Sequence, residues 1–335
     1  MRPGPLLYDS HAHLVADDQL RYPRNPMQRA ANAPYRPPGV IGKPGGHHGP
    51  NPVHEVPDAV RMLRWMQAEN VDGIVAVQKR MIYRYDNSYI LDSSDKYADL
   101  FSAVVILDAE DDATPGLVRQ SIREHSLAGL RLFGGRKPDG SMPWLNSPKA
   151  LNTWDVAQEF GLVMDLEVLS EGGGGPSIPA IIELARRYPD IRIVLDHLLE
   201  PEMVDWPAGG PEEGVAHGQP FADFGLDQRY ETLAHEKNIF FKFTSINLDI
   251  CREENIPSDQ LLRRAVDLYG ADHLMWGSDI GTSSGSYQEM VQRFLDSAGL
   301  LTTEEKRAVF HDTGKRVFVK GGTRNAGTGK GGGAP

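Results

Sequence analysis

Two histidines separated by one residue, His11 and His13, close the apolar run LLYDSHAH at 6–13. On a β-strand alternate side chains share a face, so Asp9, His11 and His13 are expected to project together. Two imidazoles so placed can converge on one ion or one substrate. Near the other end of the chain, LMWGSDI at 274–280 finishes an apolar run on Asp279. A buried carboxylate there needs a cation, a histidine or a proton as partner, because burying it alone costs several kcal/mol. The competing uses of Asp279 are a helix N-cap for the segment that begins near Ser284 and a plain salt bridge. A third run, IRIVLDHL at 191–198, ends on Asp196 and His197, and alternation does not say which of them faces inward.

These residues need a scaffold that brings distant strand ends together. Eight short apolar runs recur along the chain: 6–13, 73–78, 101–109, 128–134, 162–169, 191–198, 238–246 and 274–280. Segments with helical spacing lie between or after them, at 57–70, 86–99, 114–126, 148–160, 177–188, 227–237, 258–269 and 286–298. Strands alternating with helices specify repeated βα units and a parallel sheet. Eight of them suggest a closed (β/α)8 TIM barrel, with a doubly wound open sheet as the alternative. Active sites in such barrels sit at the C-terminal ends of the strands, where His13, His197 and Asp279 fall. Two long insertions, 14–56 and 200–225, would follow strands at that face as long βα loops, either as lids or as surface excursions. The first carries His47 and His48, which either close over a substrate or sit in a solvated loop. Residues 1–320 read as one domain, and the Gly-rich stretch 321–335 as a disordered tail.

Bulk properties narrow the partners. The chain has 335 residues, 40% of them apolar, and a formal net charge of −11. A broad surface for nucleic acid or anionic membrane needs a basic excess, so a small-molecule substrate is the expectation. Cys251 is the single cysteine, which excludes an intrachain disulfide and a thiolate metal cluster. With no apolar signal core near the N-terminus and no stretch long enough to span a membrane, a cytoplasmic protein is expected. A homo-oligomer is compatible with all of this.

The pattern of H-x-H on the first strand, VQ followed by DNSYIL after the second, GLRLF on the fourth, VLDHL on the sixth and WGSD on the eighth resembles the amidohydrolase-2 branch of the amidohydrolase superfamily. Its lactonase-like members are the nearest in character, the resemblance runs from about residue 6 to 320, and HDTGKRVF at 311–318 resembles the family's closing helix. The resemblance implies a distorted barrel that hydrolyses a cyclic ester with water activated at the C-terminal face. It makes His11 and His13 the first-strand pair, His197 the sixth-strand histidine, Asp279 the general base and Arg131 a substrate-binding residue. Two departures stand out. Arg131 replaces the carboxylated lysine of binuclear members, and MDLEVL on the fifth strand has no histidine.

Glu167 is the substitute nearest to that missing histidine. It is expected to join His11, His13 and Asp279 around one divalent ion, with zinc the first candidate, or else to line a metal-free pocket. Asp279 can deprotonate water in either case. Arg80 and Tyr83, just after the second strand, can clamp a substrate carboxylate with Arg131, although Arg80 can equally be a surface salt bridge. Lys242 and Ser245 on the seventh strand can line the pocket, or Lys242 can pair with Glu167. The rival activities are a metal-dependent decarboxylase of aromatic acids on the same barrel, and a non-catalytic barrel that only binds.

Overall fold

The structure is a computed structural model that describes residues 4–25, 56–169, 173–205, 219–283 and 285–319. His47, His48, the tail from 321 onward and most of the two insertions lie outside the described residues. The strands β1 (Leu7–His13), β2 (Val71–Val77), β3 (Phe101–Ile106), β4 (Leu127–Gly134), β5 (Val163–Val168), β6 (Ile193–Leu195), β7 (Ile239–Thr244) and β8 (Leu274–Gly277) pair in chain order, all parallel. β8 returns to β1 through a bridge between Ala12 and Ile280 and a 2.7 Å bond from the Asp279 amide to the His11 carbonyl. The eight-stranded sheet therefore nearly closes into a (β/α)8 barrel, and the open doubly wound sheet is ruled out.

The helices form where apolar spacing and caps coincide. Ala59–Ala68 starts on the Asp58 side chain, which accepts from the Arg61 amide, and turns Met62 and Met66 toward the sheet. Pro148–Phe160 and Ser258–Tyr269 begin and end where their spacing places them. Tyr287–Ser297 starts on Ser286 in a capping box with Glu289, so Asp279 is not that helix's cap. The helix after β7 was not legible. The run 238–246 reads as strand throughout, yet Thr244 and Asn247 form a capping box that starts Ser245–Glu253 in its last residues.

Strict alternation also fails on β1, where the pairing with β2 slips between Leu7 and Asp9 and again between Asp9 and Ala12. The irregularity changes the phase of the strand. Tyr8 joins the apolar interior, and Asp9 turns away from the two histidines to accept from the Ser278 and His11 amides and the Tyr287 hydroxyl. Asp9 thereby fastens β1 to β8. Gly277 permits the closure, because a Cβ there would meet the His11 Cβ at 2.6 Å.

The barrel interior is apolar at the bottom and charged at the top. Tyr8, Val75, Val104, Val194, Phe240 and Met275 pack with Val317 and Phe318 of the closing helix Thr313–Phe318, which plugs the lower end. One layer higher the inward positions become Arg131, Asp165, Asp196 and Lys242, with Lys242 Nζ 5.4 Å above the Phe318 ring. The apolar floor confines polar chemistry to the C-terminal mouth.

Candidate active site

β1 brings His11 and His13 side by side, with ring centroids 5.0 Å apart and planes nearly perpendicular. Asp279 follows β8 at φ 49°, a left-handed conformation that costs a non-glycine residue energy and that aspartate tolerates better than most. Its Oδ1 lies 3.0 Å from His13 Nε2 and 3.6 Å from His11 Nε2. His13 Nδ1 is 3.0 Å from the Val77 carbonyl, which only accepts, so the ring proton sits on Nδ1. His11 Nδ1 is 3.2 Å from Asp196 Oδ1. His13 Nδ1 is thus engaged by an acceptor, His11 Nδ1 lies between the Asp196 carboxylate and the Lys242 ammonium, and both rings turn Nε2 toward Asp279.

Electrostatics sharpen this picture. Burial pushes both histidines below the usual range, His13 to about 4. Burial alone would raise the Asp279 carboxyl, but His13, His11 and His197 together outweigh it and hold the carboxyl well below its ordinary range. A neutral His13 then faces an ionised Asp279 with lone pair against lone pair. Among the described residues, His11 Nε2 and both Asp279 oxygens have no aligned hydrogen-bond partner. Buried polar atoms left this way are costly unless a proton or cation stands among them. One nitrogen each of His11 and His13 and one oxygen of Asp279 lie within 4.8 Å of one another. The donor set therefore fits a divalent cation, and the Val77 carbonyl and Asp196 orient its imidazoles from behind.

The sixth strand settles the question that alternation left open by using both residues. Asp196 ends β6 facing inward, where Arg131 Nε and Nη2 each bond its Oδ2 at 2.7 Å. Lys242 Nζ approaches its Oδ1 at 3.1 Å. His197 then opens a left-handed turn, with φ of 53°, 59°, 59° and 47° through Glu200. Four such residues cost about 1–2 kcal/mol each. The turn is held by Asn247, whose Nδ2 donates to the His197 carbonyl at 3.0 Å, and by the Tyr230 hydroxyl on the Leu199 carbonyl at 3.1 Å. Thr244 Oγ1 sits 2.7 Å from His197 Nδ1 and fixes the ring. The unanticipated helix after β7 thus positions His197.

Other expected residues take different places. Lys242 is fully buried and pairs with Asp165 and Asp196, not Glu167, while its Nζ lies 3.1 Å from His11 Nδ1. It lies beneath His11 and neutralises carboxylates. Glu167 Oε2 accepts from Arg131 Nη2 at 2.9 Å and its Oε1 is 3.9 Å from His197 Nε2. It groups with His197 and Glu200, not with His11, His13 and Asp279. Arg131 thereby spends Nε and Nη2 on protein carboxylates. The Tyr83 hydroxyl accepts from the Ala16 amide at 2.8 Å and anchors the segment after β1. Arg80 stacks over Phe133 at 4.1 Å in a cleft at the ends of β3 and β4, with Asp108, Leu132 and Trp144. Ser245 is buried at the start of its helix.

Three residues at the mouth went unread in the sequence: Asp165, Glu200 and Lys79. Asp165 is pushed up to about 7 by burial and by Asp196 despite Lys242, and Glu200 is pushed well above its usual range by burial and by Glu167 and Asp196. Lys79 was legible as the next inward position after Val75 and Val77. The VQ and DNSYIL motifs place it: the Gln78 amide donates to the Asp86 carbonyl at 3.0 Å, and Asn87 exchanges 2.9 Å bonds with both the amide and the carbonyl of Ile106. Those bonds fold the loop after β2 over the mouth and onto β3.

Comparison with known proteins agrees with this geometry. The amidohydrolase family profile matches residues 8–319. An L-fucono-1,5-lactonase from Burkholderia ambifaria is 27% identical over 202 residues, 58% of this chain and 60% of the lactonase, so the match spans less than two thirds of that relative. A Pseudomonas putida protein described as a 2-pyrone-4,6-dicarboxylic acid hydrolase superposes with a TM-score of 0.61 at 20% identity, covering 93% of this chain and 97% of its own. A zinc-bound amidohydrolase from Burkholderia multivorans gives 0.61 at 18% identity, covering 94% and 99%. A 2,6-dihydroxybenzoate decarboxylase from Rhizobium gives 0.58 at 14%, covering 94% and 98%. At these identities the superpositions show a shared fold. Among the described residues no helix is long and apolar enough to cross a membrane. With the profile spanning nearly the whole barrel, the chain belongs to the amidohydrolase family and is an enzyme, not a barrel that only binds.

Proposed function

We propose that the enzyme opens a cyclic ester, with Asp279 as the base that takes the proton of the attacking water. The observation that carries this reading is Asp279 itself: ionised, buried, without an aligned donor on either oxygen, and facing the Nε2 atoms of His11 and His13. The water oxygen bonds to the ester carbon as its proton passes to Asp279. The ring C–O bond then breaks with its electron pair on the leaving oxygen, and that oxygen recovers the proton from Asp279. His197, fixed by Thr244, directs its Nε2 toward the carbonyl oxygen. Arg131 and Lys242 act from behind, holding Asp196, Asp165 and Glu167 in place. Arg80 with Phe133 and Trp144 forms the rim against which the substrate ring rests.

His11, His13 and Asp279 would hold one divalent cation. Zinc is the first candidate, because two imidazoles and one carboxylate suit it. When bound, such a cation polarises a carbonyl and makes water more acidic. The buried His11 Nε2 and Asp279 oxygens left without aligned partners, grouped with His13, support it. The lactonase and pyrone hydrolase relatives support the choice of ester.

A screen of sugar lactones and carboxylated lactones, with metal content measured on protein purified without chelator, tests the reading. Ring opening that disappears in Asp279→Asn is expected. Release of carbon dioxide from hydroxybenzoates, with no lactone opened, would instead assign the decarboxylase activity.

A further inference from the structure

Lys79 is the one buried cation at the mouth, among the described residues, that has no carboxylate within ion-pair distance. It lies two residues beyond the end of β2 and is 5% exposed. Arg131 and Lys242, also buried, are each engaged by two carboxylates. The Lys79 ammonium has three N–H donors, and the structure gives one of them a protein partner, Thr282 Oγ1 at 2.5 Å. Thr282 lies three residues beyond Asp279, so the lysine reaches across from β2 to the loop that carries the base.

Burying an ammonium without a counter-charge is expensive, and methionine would fill the same volume at lower cost. The charges that act on Lys79 are those of Asp279, Arg131 and Glu167, and its own charge acts on His13. These are the groups that line the cavity. Burial pulls the ammonium down to about 8, so it remains largely charged at neutral pH.

We propose that Lys79 binds a negatively charged oxygen of the substrate beside Asp279. The assignment rests on the cyclic-ester reading only for which oxygen that is. It is either a carboxylate carried on the ring, or the carbonyl oxygen that gains charge as water adds. A carboxylate partner makes Lys79 a selector for anionic lactones and acts on KM. A carbonyl partner makes it a stabiliser of the transition state and acts on kcat.

The test uses the full chain and the variants Lys79→Met and Lys79→Arg. Malonate binding, measured by calorimetry, decides first and needs no turnover, so it stands even if lactone hydrolysis fails. An approximately tenfold loss of malonate affinity in Lys79→Met, with most of it kept in Lys79→Arg, is expected for one lost charge-assisted bond. Malonate affinity unchanged within twofold, or no malonate binding by the wild type, overturns the proposal. Lys79→Gln carries the comparison should Lys79→Met fail to melt cooperatively. Kinetics then separate the two oxygens: a higher KM for 2-pyrone-4,6-dicarboxylate alone assigns the carboxylate. A lower kcat for both that compound and neutral D-glucono-1,5-lactone assigns the carbonyl.

Discussion

Replacing Asp279 with asparagine removes a proton acceptor while keeping shape, and the structure sets what else should change. The backbone at 279 sits at φ 49°, which asparagine adopts as readily as aspartate. The backbone bond from the 279 amide to the His11 carbonyl is untouched. Neither carboxylate oxygen has an aligned donor to lose, and the new amide can donate to His13 Nε2, which now faces Oδ1 at 3.0 Å. Stability should therefore stay within about 1 kcal/mol of wild type or rise, since a buried charge is removed. Catalysis should not survive so well. Loss of a positioned general base lowers kcat by a factor of about 10²–10⁴, a barrier increase of roughly 2.7–5.4 kcal/mol at 1.36 kcal/mol per tenfold. The variant should also hold less divalent metal, with one of three ligands weakened. Urea denaturation, steady-state kinetics on an opened lactone and metal analysis read the three quantities on one preparation. A variant that keeps more than a tenth of wild-type kcat would remove Asp279 from the base role. One that unfolds easily would show that the carboxylate is structural.

Other perturbations probe the supporting layers. Lys242→Met strands Asp165 in the interior, while Asp196 keeps Arg131, and should cost about 3–5 kcal/mol by urea denaturation, part of which Asp165→Asn in the same chain restores; a loss under 1 kcal/mol would mean the pair is not held by charge. Glu167→Gln should keep the bound metal, because Glu167 pairs with Arg131 and stands outside the His11, His13 and Asp279 group; metal loss on analysis would make Glu167 a ligand after all. Malonate affinity should fall as pH rises through about 8, because the protonated Lys79, faced by Asp279, Arg131, Glu167, His13 and the Thr282 hydroxyl, is the form that binds anions; a flat calorimetric profile from pH 7 to 9.5 contradicts this. On the outside, Glu305 is held down to about 2 by Arg263 and the Thr302 amide. Its folded value lies below the unfolded one of roughly 4.3, so its stabilisation is present above that pH and is lost as pH falls toward 2. The melting difference between wild type and Glu305→Gln, about 1 kcal/mol at pH 7, should close over that window.

The sequence by itself determined the repeated βα units and the ends of their strands, and the structure closed them into a barrel. Period-two and helical patterns repeat eight times, and a charged or imidazole side chain at the end of an apolar strand marks the catalytic face in any such barrel. His11, His13 and Asp279 were therefore legible as one group, even though Asp279 lies 266 positions after His13 along the chain. What the sequence did not contain was the identity of each charge's partner. Lys242 reaches Asp165 and not Glu167, because Asp165 lies at its own height in the barrel and Glu167 one layer above. Asp9 leaves the face of His11 because a slip in pairing breaks the alternation. His197 reaches the cavity because a left-handed turn, braced by Asn247 from another element, redirects the chain after Asp196. The proposed role of Lys79 rests on the closure of the barrel, which among the described residues leaves it buried with no carboxylate at ion-pair distance. Strand periodicity is local and survives in the sequence. Pairing among buried charges depends on heights and angles around a closed ring of strands, and only the tertiary structure fixes those.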